Sequence, residues 1–224
     1  TLLRKIVKEI LLEKNTIFYK IDENNLENYL GKKKYFYTEN ANKNEIGVVN
    51  GMAYTVFGGD ILPIEANIFK GKGDLILTGS LGEVMQESCQ IALSYIKANK
   101  DEFEIDSKLL EENNIHIHFP EGAVSKDGPS AGIAITSALI SVFTKKTVNF
   151  SIAMTGEITL HGRVLAIGGL KEKVIGAHRA GIKTVYLPVE NEKDIEEIPL
   201  DIRNDIKFHY VSNYSEIYNE IFNK

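Results

Sequence analysis

Lys126-Asp127-Gly128-Pro129-Ser130-Ala131-Gly132 leads directly into an apolar run that ends at Phe143. Pro129 suits the first turn of a helix, where its missing N–H is no loss, so the run reads as a helix over 131–143 with Ser130 at its N-terminus. Free backbone N–H groups at such an end can stabilise an oxyanion, and the glycines and small residues leave room for a substrate backbone. A Gly-Pro turn whose serine merely caps the helix accounts for the same residues.

Toward the N-terminus, Ile115 to Phe119 alternates as a strand, and Pro120 to Pro129 is a loop. Ser80-Leu81-Gly82-Glu83 has capping-box spacing and opens a helix of about 17 residues. Cys89 on that helix reads as a small buried hydrophobe. Before it, Gly47 to Phe57, Ile61 to Phe69 and Asp74 to Thr78 read as a meander of antiparallel strands, with turns at Gly58-Gly59-Asp60 and Gly71-Lys72-Gly73. Leu2 to Lys14 spaces its apolar residues as an amphipathic helix, 16–21 alternates as a strand, and Leu26 to Leu30 is a short helix stopped by Gly31. The polar stretch 39–45 is the expected linker.

Toward the C-terminus, strands are expected at 151–154, 184–187 and 208–211, and a hairpin over 158–167 around His161-Gly162. Helices are expected at 171–180, closed by Gly181, and at 193–197 and 215–222. The fold class is α+β with mixed α/β layers, without strict βαβ alternation.

The 224 residues carry 26 Lys and Arg against 31 Asp and Glu, a net charge of −5, with 43% hydrophobic residues. One full domain with a small appendage fits that length. The sequence has no apolar run long enough for a membrane helix and no secretory leader pattern, so no membrane partner is expected. The mild acidity argues against nucleic acid as a partner. A single cysteine excludes an internal disulfide framework. The first residue, Thr1, suggests a fragment or a processed product.

A nucleophilic serine needs a base. His116 and His118 share one face of a strand and His178 lies on a helix, so any of them, with Asp127 as orienter, offers a Ser-His-Asp triad. Asp127, however, is close to Ser130 in sequence, which makes that geometry hard to reach. A two-His metal site lacks a third ligand, and no metal is expected. Lysine is the other base, provided burial lowers its pKa. Gly168-Gly169-Leu170-Lys171-Glu172-Lys173 offers two lysines beside the apolar side of a helix.

These residues belong to a longer pattern. Gly79-Ser80-Leu81-Gly82-Glu83-Val84-Met85-Gln86-Glu87-Ser88, His116-Ile117-His118-Phe119-Pro120-Glu121-Gly122-Ala123, the Lys126–Gly132 segment, Thr155-Gly156-Glu157-Ile158-Thr159-Leu160 and Gly168–Lys173 follow one another in order. Across nearly the whole chain they resemble the C-terminal proteolytic domain of the Lon ATP-dependent proteases of bacteria and mitochondria. The resemblance implies the ribosomal protein S5 domain 2-like fold over 46–224, with residues 1–38 a remnant of the small helical subdomain of an AAA+ ATPase.

It further implies a Ser-Lys dyad of Ser130 as nucleophile and Lys173 as general base, so that Lys171 is the wrong lysine of the pair. Thr155 would hydrogen-bond the Lys173 amine, and Asp127, Gly128 and Pro129 would shape the nucleophile loop. Glu65, His116 and His118 match other positions of the family's active-site surroundings. Ser125 and Tyr54 depart from the family's usual Pro and Trp. Implied partners are unfolded, damaged or short-lived regulatory polypeptides, delivered into a homohexameric ring in the bacterial cytoplasm or, alternatively, the mitochondrial matrix. No cofactor is expected in this chain, and ATP and Mg2+ belong to the upstream ATPase module, because no G-x-x-x-x-G-K-[ST] pattern occurs here. The runner-up is a small-molecule kinase of the galactokinase or homoserine-kinase type, which holds phosphates on a similar loop but has a longer serine-rich one. A non-catalytic assembly module is the third reading.

Overall fold

The computed structural model describes residues 2–13, 20–22, 24–32, 43–55 and 58–223. The chain divides into two compact units, Thr1–Tyr37 and Thr38–Lys224. In the first, helix α1 (Leu2–Glu13) leaves Leu3, Val7 and Leu11 exposed, and α2 (Leu26–Leu30) ends at Gly31, whose φ of 84° favours glycine. Most of the strand expected over 16–21, and most of the linker expected over 39–45, lie outside the described residues.

The second unit runs β1 (Val48–Thr55), β2 (Gly58–Lys70), β3 (Leu75–Thr78), α3 (Glu83–Ala98), α4 (Ser107–Glu111), β4 (Asn113–His118), α5 (Gly132–Thr144) and β5 (Ile152–Met154). It continues through β6 (Glu157–Ile158), β7 (Val164–Leu165), α6 (Leu170–Arg179), β8 (Thr184–Pro188), a 3-10 helix (Val189–Glu197), α7 (Leu200–Asp205), β9 (Lys207–Val211) and α8 (Tyr214–Ile221). Seven strands form one sheet in the order β3-β4-β2-β1-β5-β8-β9, and β6 and β7 pair as the expected hairpin. Within the seven-stranded sheet, among the described residues, β1–β2 and β2–β4 are antiparallel and the other four pairings are parallel. The fold is mixed α/β with a mostly parallel sheet.

Alternation along the strands supplies two apolar faces. Val49, Leu62, Ile64 and Met154 pack with α3, α5 and α8 on one side; Met52, Ile61, Ala153 and Val185 pack with α6 on the other. Helix α5 is buried from Gly132 through Phe143, which explains why its sequence is apolar all round.

Four expectations need correction. The meander stops after β1–β2, because β4 pairs with β2 and β3 runs parallel to β4 at the sheet edge. Gly58-Gly59-Asp60 is the start of β2 rather than a turn. A Cβ on Gly59 would lie 1.8 Å from the Glu172 carbonyl oxygen, so this glycine lets α6 lie directly on the strand. Ser80 does not cap α3: the N-cap is Gly82, and Ser80 takes a left-handed φ of 59°. Pro129 precedes α5 instead of opening it, in a turn closed by Gly132 N–H donating to the Pro129 carbonyl at 3.2 Å. The sequence reading also passed over α4 and α7; Asp106, whose side chain accepts from the Lys108 amide, was the local signal for α4.

Candidate active site

Ser130 and Lys173 reach one another from opposite faces of the sheet. Ser130 sits just ahead of α5, whose entry is pinned to the segment after β5: Gly156 N–H donates to the Ser130 carbonyl at 2.8 Å, and Ile133 N–H to the Gly156 carbonyl at 3.1 Å. Lys173 lies on the first turn of α6, on the side carrying Leu170, Val174 and Ala177. Lys171 is two residues away, hence roughly 200° around the helix, and is exposed. Their positions on the helix separate two lysines that composition left alike.

Lys173 Nζ donates to Ser130 Oγ at 2.9 Å and to Thr155 Oγ1 at 3.2 Å. Thr155, fully buried at the end of β5, donates its own hydroxyl to the Ser130 carbonyl at 3.3 Å, while its N–H bonds the Tyr186 carbonyl on β8. Lys173 is 4% exposed, and this burial pushes its pKa down to about 8. Removing an ammonium from water disfavours its charged form, and no neighbouring carboxylate contributes to the shift.

The loop that carries Ser130 is held from α3. Asp127 Oδ1 accepts the Met85 amide at 3.0 Å and its own neighbour's, Gly128 N–H, at 2.9 Å. The carboxylate therefore caps α3 from the loop, as a negative charge at a helix N-terminus should. It fits because Gly82 has no side chain: a Cβ there would come within 2.3 Å of the Asp127 carboxyl carbon. Gly128 takes a φ of 116°, which favours glycine. Lys126 closes the loop on itself by donating to the carbonyls of Gly79, Glu121 and Val124. Among the described residues no hydrogen bond engages the N–H of Ser130 or Ala131, so both remain donors for a ligand.

Ser130 and Lys173 both line a cleft of about 300 Å³. Met52, Leu62, Met85 and Val124 supply apolar lining, with Asp60 and Lys126 among the polar groups. Glu65, His116 and His118 lie elsewhere. Glu65 stands opposite His118 across β2 and β4, both histidines bond Thr78 Oγ1 (2.9 and 2.7 Å), and all three residues line a second cavity. His178 pairs with Asp205 Oδ2 at 2.8 Å. None of these three histidines bonds Ser130, and among the described residues no group of three or more His, Cys, Asp or Glu side chains can hold a metal ion. The Gly71–Gly73 turn is not a phosphate cradle, since the amides of Lys72 and Asp74 are taken by Asn114 Oδ1 (2.8 and 3.2 Å).

Residues 20–224 match the Lon protease (S16) C-terminal proteolytic domain. The chain belongs to the Lon protease family. That membership makes it a serine peptidase domain. It is 51% identical over 221 residues to the Lon protease of Aster yellows witches'-broom phytoplasma (strain AYWB), covering 99% of this chain and 28% of the relative. The Lon protease of Escherichia coli (strain K12) is 50% identical over 216 residues, covering 96% and 28% respectively. That of Mycoplasma mycoides subsp. mycoides SC is 53% identical over 194 residues, covering 87% and 24%. This chain thus spans about a quarter of the length of these Lon relatives.

Proposed function

We propose that this Lon domain hydrolyses peptide bonds through an acyl-enzyme, with Ser130 as nucleophile and Lys173 as general base. The observation that carries the reading is the 2.9 Å contact between Lys173 Nζ and Ser130 Oγ, made by a lysine whose burial holds its pKa at about 8. With the amine neutral, the same contact lets the Ser130 hydroxyl donate to the Nζ lone pair. Oγ attacks the scissile carbonyl carbon as its proton passes to Nζ, and the carbonyl oxygen takes up negative charge. The free N–H groups of Ser130 and Ala131 are the donors for that oxyanion. The C–N bond then breaks, and the Lys173 ammonium protonates the leaving amine. Water repeats the cycle against the ester, releasing the acid and restoring Ser130.

Thr155 holds the amine between its two oxygen partners, and Asp127, Gly128 and Pro129 hold the loop that carries Oγ. Glu65, His116 and His118 act outside this step, at the second cavity. In the whole protein, residues 1–38 end an ATPase module that binds ATP and Mg2+ and threads unfolded, damaged or regulatory polypeptides into a hexameric ring. The bacterial sources of the relatives support a bacterial cytoplasmic setting over the mitochondrial matrix.

The test is casein and peptide cleavage by the full-length protein carrying Ser130→Ala or Lys173→Ala. Both variants are expected to lose turnover while remaining folded by circular dichroism. Wild-type turnover in either one rejects the dyad, and loss in Lys171→Ala with retention in Lys173→Ala moves the base to Lys171.

A further inference from the structure

The base is carried by a helix whose entry is not held by regular secondary structure. Residues 166–169, between β7 and α6, belong to neither the hairpin nor the helix. Two glycines stand in succession there, Gly169 is left-handed with a φ of 67°, and a Cβ on Gly168 would touch nothing within 4 Å. Ile167 packs against the core under α6 and Tyr54 lies 3.4 Å from where a Gly169 Cβ would stand, but Gly168 between them meets no side chain. Yet Lys173 is the residue whose N–H donates to the Gly169 carbonyl, at 3.1 Å, so a shift of the bend moves the first turn that presents its amine.

What holds the segment is a side chain from the 3-10 helix. Asn191 is 2% exposed and treats Ile167 as a neighbouring strand would. The Ile167 N–H donates to Asn191 Oδ1 at 3.0 Å, and Asn191 Nδ2 donates to the Ile167 carbonyl at 2.9 Å. A third bond, from Nδ2 to Asp194 Oδ2 at 2.6 Å, fixes which way the amide faces, because only the nitrogen can serve two acceptors. Both backbone groups of Ile167 are thereby satisfied by one buried residue that never reaches the cleft.

We propose that Asn191 is a positioning residue for Lys173: by clamping the backbone of Ile167 it sets the glycine bend that enters α6, and so aligns the amine on Ser130. Packing of Leu170, Val174 and Ala177 keeps α6 on the sheet without the clamp, so the clamp governs sub-ångström alignment and water access rather than folding. The inference rests on the assignment of Lys173 as base.

The experiment compares Asn191→Ala and Asn191→Asp with wild type in the full-length protein, using a short fluorogenic peptide across pH. Asn191→Asp is nearly isosteric but turns an acceptor toward the Ile167 carbonyl and the Asp194 carboxylate. The expected result is a kcat about tenfold lower with KM held within about twofold. The alkaline-going activity limb should also move to higher pH as water reaches the Lys173 amine. A folded variant with wild-type kcat and limb overturns the proposal, and so does a loss of kcat with an unmoved limb, which marks a purely structural role. Retained activity in Lys173→Ala overturns instead the reading beneath it. Should neither Asn191 variant fold, amide hydrogen exchange in the wild-type protein decides: protection of the Ile167 N–H supports the clamp, and exchange at an unprotected rate overturns it.

Discussion

Lys173 Nζ lies 2.9 Å from Ser130 Oγ although α6 and α5, the helices that bring them, pack on opposite faces of the seven-stranded sheet. The pair meets at the end of β5, where Thr155 bonds both partners. Placing the site at the carboxyl end of a central parallel strand lets two separate apolar cores hold the two groups.

Activity should rise with pH through about 8, where burial has brought the Lys173 amine. Below that value the ammonium predominates and has no lone pair for the Ser130 proton. Initial rates of peptide hydrolysis between pH 6 and 10 should follow a single deprotonation; a limb centred near about 6.5 would point to histidine.

Lys173→Met should make the domain more stable at neutral pH while leaving it inactive. The folded pKa, about 8, lies below the ordinary 10.5, so between those values the unfolded chain binds more protons than the folded one. Stability contributed by this group is therefore lowest below pH 8, rises between 8 and 10.5, and is complete above. Methionine removes that dependence, worth roughly 1–3 kcal/mol at pH 7 after allowing for the two lost hydrogen bonds. Urea midpoints of the two proteins should differ at pH 7 and converge as the pH approaches 10.

Asp127→Ala should cost about 1–2 kcal/mol, the typical loss for a helix cap, because the Met85 amide loses its acceptor. Turnover should fall as well, with Ser130 the proposed nucleophile, since the same carboxylate orders Gly128 two residues before it. Asp127→Asn keeps an acceptor oxygen and should recover most of the thermal stability. Equal melting temperatures for Asp127→Ala and wild type would show that α3 is capped in some other way.

Gly176→Ala tests the contact between α6 and β2. Alanine favours a helix by about 1 kcal/mol over glycine. Here, however, a Cβ would lie 2.4 Å from both the carbonyl carbon and oxygen of Gly59. The obstacle is backbone, which cannot rotate away, so overpacking of about 1–3 kcal/mol outweighs the propensity gain. Lifting α6 also withdraws Lys173, and both melting temperature and kcat should drop.

Local pattern carried much of the fold. The apolar run of α5, the spacing in α3, the hairpin after β5 and the left-handed Gly181 closing α6 were all legible, because each is governed by residues a few positions apart. Where reading failed, a distant partner had overridden a local signal. Gly59 looked like half of a turn and is a close-approach glycine answering Glu172. Ser80 and Glu83 had the spacing of a cap, yet the cap comes from Asp127. Asn191 carried no motif at all, since its meaning lies in the backbone of Ile167.

The sequence by itself determined the family and the serine on its loop, and through the family resemblance it pointed to Lys173 rather than Lys171. It did so through periodicity, special backbone residues and ordered motifs, which are properties of neighbours along the chain. Tertiary structure alone decided the sheet order, the capping of α3 and the burial of Lys173 beside an exposed Lys171. The physical reason is that desolvation is set by everything packed around a group. The pKa of an amine therefore belongs to the folded surroundings and cannot be read from the residues on either side.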